Sequence, residues 1–223
     1  MWSLFRKFSL AMLVFCIGGA GLAAAAGDDA TLSKILDGLE NRYAGPGFSA
    51  KFFQESMLKA MQISDTAEGN LTVKRPGKMR WEYTIPDVQT VVSDGRTMWV
   101  YRPADNQVMV GKAPAFFSGG KGAGFLSDIR QVRNSFSIEV LKAENDAYYR
   151  LRLTPRKASP DLADVILSVK KTDFQVDQVI THNAYGDETQ ITLSDYRFSI
   201  NPKDALFTFK PPEGVDVVQV DQP

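Results

Sequence analysis

Cysteine is nearly absent: among 223 residues only Cys16 carries a thiol, and histidine occurs once, at His182. Zinc and copper sites need several converging nitrogen or sulfur ligands, and this chain does not supply them. Nucleophilic catalysis is equally short of parts. Any triad would have to take His182 as its base, and no Gly-x-Ser-x-Gly elbow presents a serine to it. Net charge is missing as well, with 26 Lys and Arg against 26 Asp and Glu. A nucleic-acid binder draws its affinity from clustered cations, so that class is excluded. Carboxylates are plentiful, but they fall on turns and on the polar positions of strands. Nothing here asks for an enzyme, a metal or a cofactor.

Long apolar runs are also scarce. The one candidate follows Arg6 and Lys7, spans residues 8–26, and ends in Ala23, Ala24, Ala25 and Ala26. A basic start, a short apolar core rich in glycine and a small-residue end describe a secretory signal peptide over 1–26, since a spanning helix needs about 20 strongly apolar residues. Cys16 leaves with that segment; Leu13, Val14 and Phe15 before it lack the small residues that lipidation requires. The remaining chain, 27–223, carries two more acids than bases and no thiol. It is expected in an oxidising compartment, with a core that is stable without a disulfide. No repeat or linker divides it, and 27–223 reads as one domain.

What is present is strand alternation. One amphipathic helix opens the domain over 29–43, with Leu32, Ile35, Leu36, Leu39 and Tyr43 at helical spacing, and Gly45, Pro46 and Gly47 stop it. Strands follow at 48–56, 69–75, 78–83, 89–93, 97–101, 107–111, 135–141, 148–154, 165–170, 175–184 and 189–198, with a last short one at 207–210. Residues 57–63 are less regular. Between 114 and 129 the alternation fails: Phe116, Phe117, Phe125, Leu126 and Ile129 surround a glycine-rich run. Gly120 and Lys121 invite a phosphate-loop reading, but Gly122 stands where Ser or Thr would bind magnesium. A hinged apolar lid fits the segment better.

The chain is organised around residues 69–83. Leu71 and Val73 alternate with polar residues, Pro76 and Gly77 turn the chain, and Met79, Trp81 and Tyr83 alternate with Arg80 and Glu82. Arg75 ends the first strand beside this apolar face, where a guanidinium can lie along an apolar wall and still offer five donors. This block, together with Ser93-Asp94-Gly95 in its hairpin and the closing Phe207 to Val215, resembles the outer-membrane lipoprotein carrier family, LolA. The three blocks stand in the family's order across the chain.

The resemblance implies a mainly β (α+β) fold: an incompletely closed antiparallel β-barrel of about ten or eleven strands with a helical lid over an apolar cavity. It implies a periplasmic monomer that takes acylated lipoproteins from an inner-membrane ABC-type lipoprotein-releasing transporter. The cargo then passes to an outer-membrane lipoprotein receptor. No cofactor, catalysis or nucleic acid is involved. The residue matching Arg75 holds the lid shut and governs ligand release, and the one matching Met79 lines the mouth. The remaining cavity wall is expected from Phe52, Leu71, Val73, Trp81, Met98, Trp99, Tyr101, Phe116, Phe117, Phe125 and Leu126. A periplasmic sensor that uses the same half-barrel to detect lipids or mislocalised lipoproteins is the alternative.

Overall fold

The computed structural model describes residues 22–113, 126 and 129–220, with side chains from residue 31 onward. The chain begins with helix α1 (Leu22–Arg42) and continues through β1 (Gly47–Leu58), β2 (Ile63–Lys74), β3 (Lys78–Ile85), β4 (Gln89–Asp94), β5 (Thr97–Arg102) and β6 (Gln107–Lys112). A short helix α2 (Gln131–Ser135) leads into β7 (Phe136–Leu141), β8 (Tyr148–Pro155), β9 (Asp164–Lys170), β10 (Val176–His182), β11 (Glu188–Phe198) and finally β12 (Asp216–Gln219).

All twelve strands belong to one sheet, in the order β12-β6-β5-β4-β3-β2-β1-β11-β10-β9-β8-β7. β12 and β7 do not pair with each other, so the sheet is open. Neighbours are antiparallel except β12, which runs parallel to β6. The expected incompletely closed antiparallel barrel is therefore what the chain forms.

Three boundaries differ from the sequence reading. The irregular stretch 57–63 is the tip of a long hairpin in which β1 and β2 pair from Gly47 and Lys74 out to Leu58 and Ile63. Its alternation is blurred because both faces are exposed there, so no core selects the pattern. The last strand is not 207–210. Asp204–Phe207 forms a 3-10 turn, and β12 closes the sheet further on. The opening helix begins at Leu22, ahead of the expected 29.

Strand alternation sorts the side chains onto two faces. The inner face is one continuous core drawn from both halves of the sheet, with Leu71, Met79 and Met98 from one half and Leu151, Leu167 and Val179 from the other. Ile35, Leu36 and Leu39 of α1, with Tyr43 just past its end, sit in that same cluster, so the sheet wraps around the helix.

Gly38 lets α1 come close. A Cβ there would stand 2.3 Å from the Phe174 ring. At the end of the helix, the Tyr43 hydroxyl donates to Tyr196 Oη at 3.3 Å and accepts from the Val176 amide at 3.0 Å, while Tyr196 donates to the Val176 carbonyl at 2.8 Å. Burial pushes the Tyr43 phenol up to about 12, so this network stays neutral and intact at ordinary pH. Arg42 lies 3.8 Å over the Phe198 ring and reaches Asp173 at 3.2 Å. Together these contacts fix the helix at the β10–β11 side of the sheet.

The outer face has a smaller cluster. Val92, Val108 and Phe207 are fully buried without belonging to the inner core. The 3-10 turn packs on β3 and β4, and Asp204 bridges Lys74 at 3.0 Å and Lys78 at 2.7 Å. This clasp strengthens the hairpin that carries the candidate site.

Candidate functional site

Three adjacent strands build the inner wall. Register places Ala50 opposite Leu71 and Leu71 opposite Trp81, while Phe48 faces Val73 and Val73 faces Met79. Leu71, Val73, Met79 and Trp81 are buried with at most 2% of their surface exposed. The Phe52 ring packs edge-on against Trp81 and Tyr83, each with centroids 4.8 Å apart.

Phe52 sits where it does because Gly69, its cross-strand partner, has no side chain. A Cβ on Gly69 would lie 3.0 Å from that ring and 1.9 Å from the Glu82 carbonyl oxygen. The bulge between Glu68 and Gly69 brings the two backbones this close. Above Phe52 the wall gains a polar edge: Tyr83 Oη donates to Gln54 Oε1 at 3.1 Å. Burial pushes that phenol up to about 12, which keeps it a neutral donor.

The wall continues through Val91 of β4, Met98 and Val100 of β5 and the partly buried Met109 of β6. Across from the strands, Leu126, Ile129 and Val132 enter the same cluster from the segment that follows β6. Phe52, Leu71, Val73, Met79, Trp81, Met98 and Leu126 are thus brought together.

Trp99 and Tyr101 are not with them. Met98 and Val100 take the inner positions of β5, so Trp99 and Tyr101 between them face outward, opposite Val110 and Val108. Tyr101 packs on Phe209 at 5.5 Å. Placing these two on the wall is corrected here, for the period of two forbids Met98 and Trp99 from sharing a face. Phe116, Phe117 and Phe125, with most of the lid-like stretch 114–129, lie outside the described residues.

The second half of the wall was not singled out from the sequence. Leu151, Leu153, Leu167, Val169, Ile191 and Leu193 are all buried in the inner cluster. Their alternation within 148–154, 165–170 and 189–198 was the available signal.

Arg75 follows β2 directly and is half-buried. Its amide donates to the Pro46 carbonyl at 2.9 Å. The turn it opens, with Gly77 in the left-handed region at φ 69°, abuts the β4–β5 hairpin at Gly95. The Ala113 amide donates to the Arg96 carbonyl of that hairpin at 2.9 Å. Arg75 therefore stands at the end of the sheet where the chain leaves β6 toward Leu126.

His182 sits at the far end, at the close of β10. Its Nδ1 is 2.7 Å from Asp164 on β9 and its Nε2 is 3.1 Å from Glu188 on β11. Burial presses its pKa down, but the two carboxylates outweigh it and the net direction is up. His182 thus clamps three strands.

The family described as "Outer membrane lipoprotein carrier protein LolA" matches residues 46–210. The outer-membrane lipoprotein carrier protein of Chromobacterium violaceum is 31% identical over 212 residues, covering 94% of this chain and 97% of its own. That of Bordetella pertussis is 30% identical over 216 residues, covering 96% and 98%. An uncharacterized conserved protein of Thermus thermophilus shares the fold with a TM-score of 0.54 at 12% identity, over 85% of this chain and 99% of its own. Every element of the inner wall from β1 to β11 falls within the matched span, and the chain belongs to the LolA family of outer-membrane lipoprotein carrier proteins.

Proposed function

We propose that residues 27–223 act in the periplasm as a carrier that shields the acyl chains of lipoproteins released from the inner membrane and delivers them to an outer-membrane receptor. One observation carries this reading: a single apolar wall runs across both halves of an open sheet and is covered by α1 and by Leu126, Ile129 and Val132 rather than by a second sheet. A cover made of one helix and a connecting segment exchanges contacts more readily than a strand-paired layer.

The physical need is large. An acyl chain of about fifteen methylenes at ~0.8 kcal/mol each leaves on the order of 12 kcal/mol exposed to water. No triacylated protein crosses an aqueous space with that surface bare. In this reading the acyl chains take the place of Leu126, Ile129 and Val132 against Phe52, Met79, Trp81 and Met98. Methionines at the wall suit a ligand that packs in several ways. Arg75 governs the exchange by holding the covering segment in the closed form, and its release accompanies loading.

The carrier supplies binding and transfer without chemistry, so its partners are the cargo, a releasing transporter in the inner membrane and a receptor in the outer membrane. Sedimentation tests the reading. The protein should hold a triacylated lipoprotein in the supernatant without detergent and should have no effect on the same cargo stripped of its acyl chains. Equal behaviour toward both forms contradicts it.

A further inference from the structure

Four large apolar side chains stand in water around the tip of the β1–β2 hairpin, at one end of the sheet: Met57, Leu58, Met61 and Ile63. Met61 is 62% exposed and Met57 53%. Ile85 and Val88 are exposed too but stand apart, because β3 ends at Ile85 opposite Glu68, five residues short of Ile63. Tyr185, 71% exposed, continues the line from the β10–β11 turn. The Lys59 amide donates to Asp187 Oδ1 at 2.9 Å, which fastens the tip to that turn.

Single exposed apolar residues need no explanation, but a contiguous rim of them does. None is used by the core, since the inner cluster on β1 ends at Phe52 and on β3 at Tyr83. The rim lies at the end of the sheet opposite Arg75, so it is no part of the closing turn. Both methionines are at the tip, where a flexible side chain adapts to a partner surface.

Charge decides what kind of surface fits. Beside the tip stand the exposed carboxylates Glu55 and Asp65 of the hairpin strands, joined by Asp187 and Glu188 at the turn. Lys59 is the lone cation among the tip and turn residues 57–65 and 183–188. An anionic bilayer attracts basic segments and repels this one. A protein face with apolar side chains inside a basic border is complementary to it.

We propose that this acidic-bordered apolar rim is a docking surface for a protein partner of that chemistry, distinct from the acyl-binding wall. The proposal rests on the carrier reading, because a carrier must be met by proteins that load and unload it. Docking at the end away from Arg75 leaves the covering segment free to move while the partner is bound.

The test uses the complete mature protein. Met57→Ser, Met61→Ser and Ile63→Ser are combined in one variant, and Glu55→Lys with Asp65→Lys in another. Binding is measured to the purified soluble domain of the outer-membrane receptor, to the purified periplasmic domain of the inner-membrane transporter, and to vesicles of phosphatidylethanolamine with phosphatidylglycerol. Both variants should lose at least about tenfold in affinity for one of the two proteins, with thermal midpoint and acyl-peptide binding unchanged. Neither they nor the wild type should sediment with vesicles, although the lysine variant gains some attraction. Unchanged binding to both proteins overturns the proposal. So does a wild type that sediments with vesicles through the apolar rim, which makes the rim a membrane contact. Acyl-peptide binding is read separately, so its loss in the wild type would count against the carrier reading and leave the rim to be judged on protein binding.

Discussion

In the proposed carrier reading, Arg75 is where one side chain has the most leverage over function. If its guanidinium bonds the backbone of the covering segment, each charge-assisted hydrogen bond contributes about 1.5–3 kcal/mol to the closed form. About 1.4 kcal/mol already shifts an open-to-closed ratio tenfold. Arg75→Leu removes those bonds and adds apolar surface at the turn, so cargo should load but be released slowly, and a carrier–lipoprotein complex should accumulate in a transfer assay. Arg75→Lys should fall between, keeping the charge and losing the planar fork. Normal release by folded Arg75→Leu would reduce Arg75 to a turn cation. Gly69 has the opposite kind of importance, for stability. With the Glu82 oxygen 1.9 Å from the place of a Cβ, Gly69→Ala forces β2 and β3 apart and should cost about 1–3 kcal/mol or more in urea unfolding. His182 sets a pH dependence. Its folded pKa lies above the unfolded value, so its contribution is complete below about pH 6.5 and is lost as pH rises through the folded value. Between about pH 6 and about pH 8.5 the wild type should lose more stability than His182→Gln. A parallel fall in both proteins would show that Asp164 and Glu188 do not act through the histidine.

At the level of elements, β1 joins the two halves of the sheet, pairing with β2 on one side and β11 on the other. Phe52 is its central inward residue, and Phe52→Ala should cost about 3–5 kcal/mol because Trp81, Tyr83 and Gly69 cannot close the gap. The measurement is a shift in denaturant midpoint with an unchanged slope. Much of this element was legible in the sequence. Alternation at 69–83 placed Leu71, Val73, Met79 and Trp81 on one face, and register then made them neighbours. Trp99 and Tyr101 were misassigned because hydrophobicity was allowed to override that alternation on β5, where the outer face has an apolar cover of its own in Phe207 and Phe209. Strand β12 was invisible for a different reason. All four of its residues are exposed, so no burial pattern marks it, and its pairing with β6 follows from where the Phe207 clasp sends the chain. The Gly38 and Phe174 contact was hidden too, since neither residue carries a pattern until α1 is laid on the sheet.

Across the whole molecule, the open sheet is what lets the proposed carrier be both stable and receptive. Pairing from β12 to β7 fixes the wall through backbone hydrogen bonds, while the cover is held by side chains on α1, by Leu126, Ile129 and Val132, and by Arg133, which reaches Asp37 and Glu40 of α1. In that reading, loading changes the cover and spares the wall. The most direct measurement of this account is native mass spectrometry of the mature protein mixed with a triacylated lipoprotein and with its unacylated form. A one-to-one complex with the acylated form alone is the predicted result; a complex of equal abundance with both, or with neither, would contradict the claim that the inner wall exists to take acyl chains.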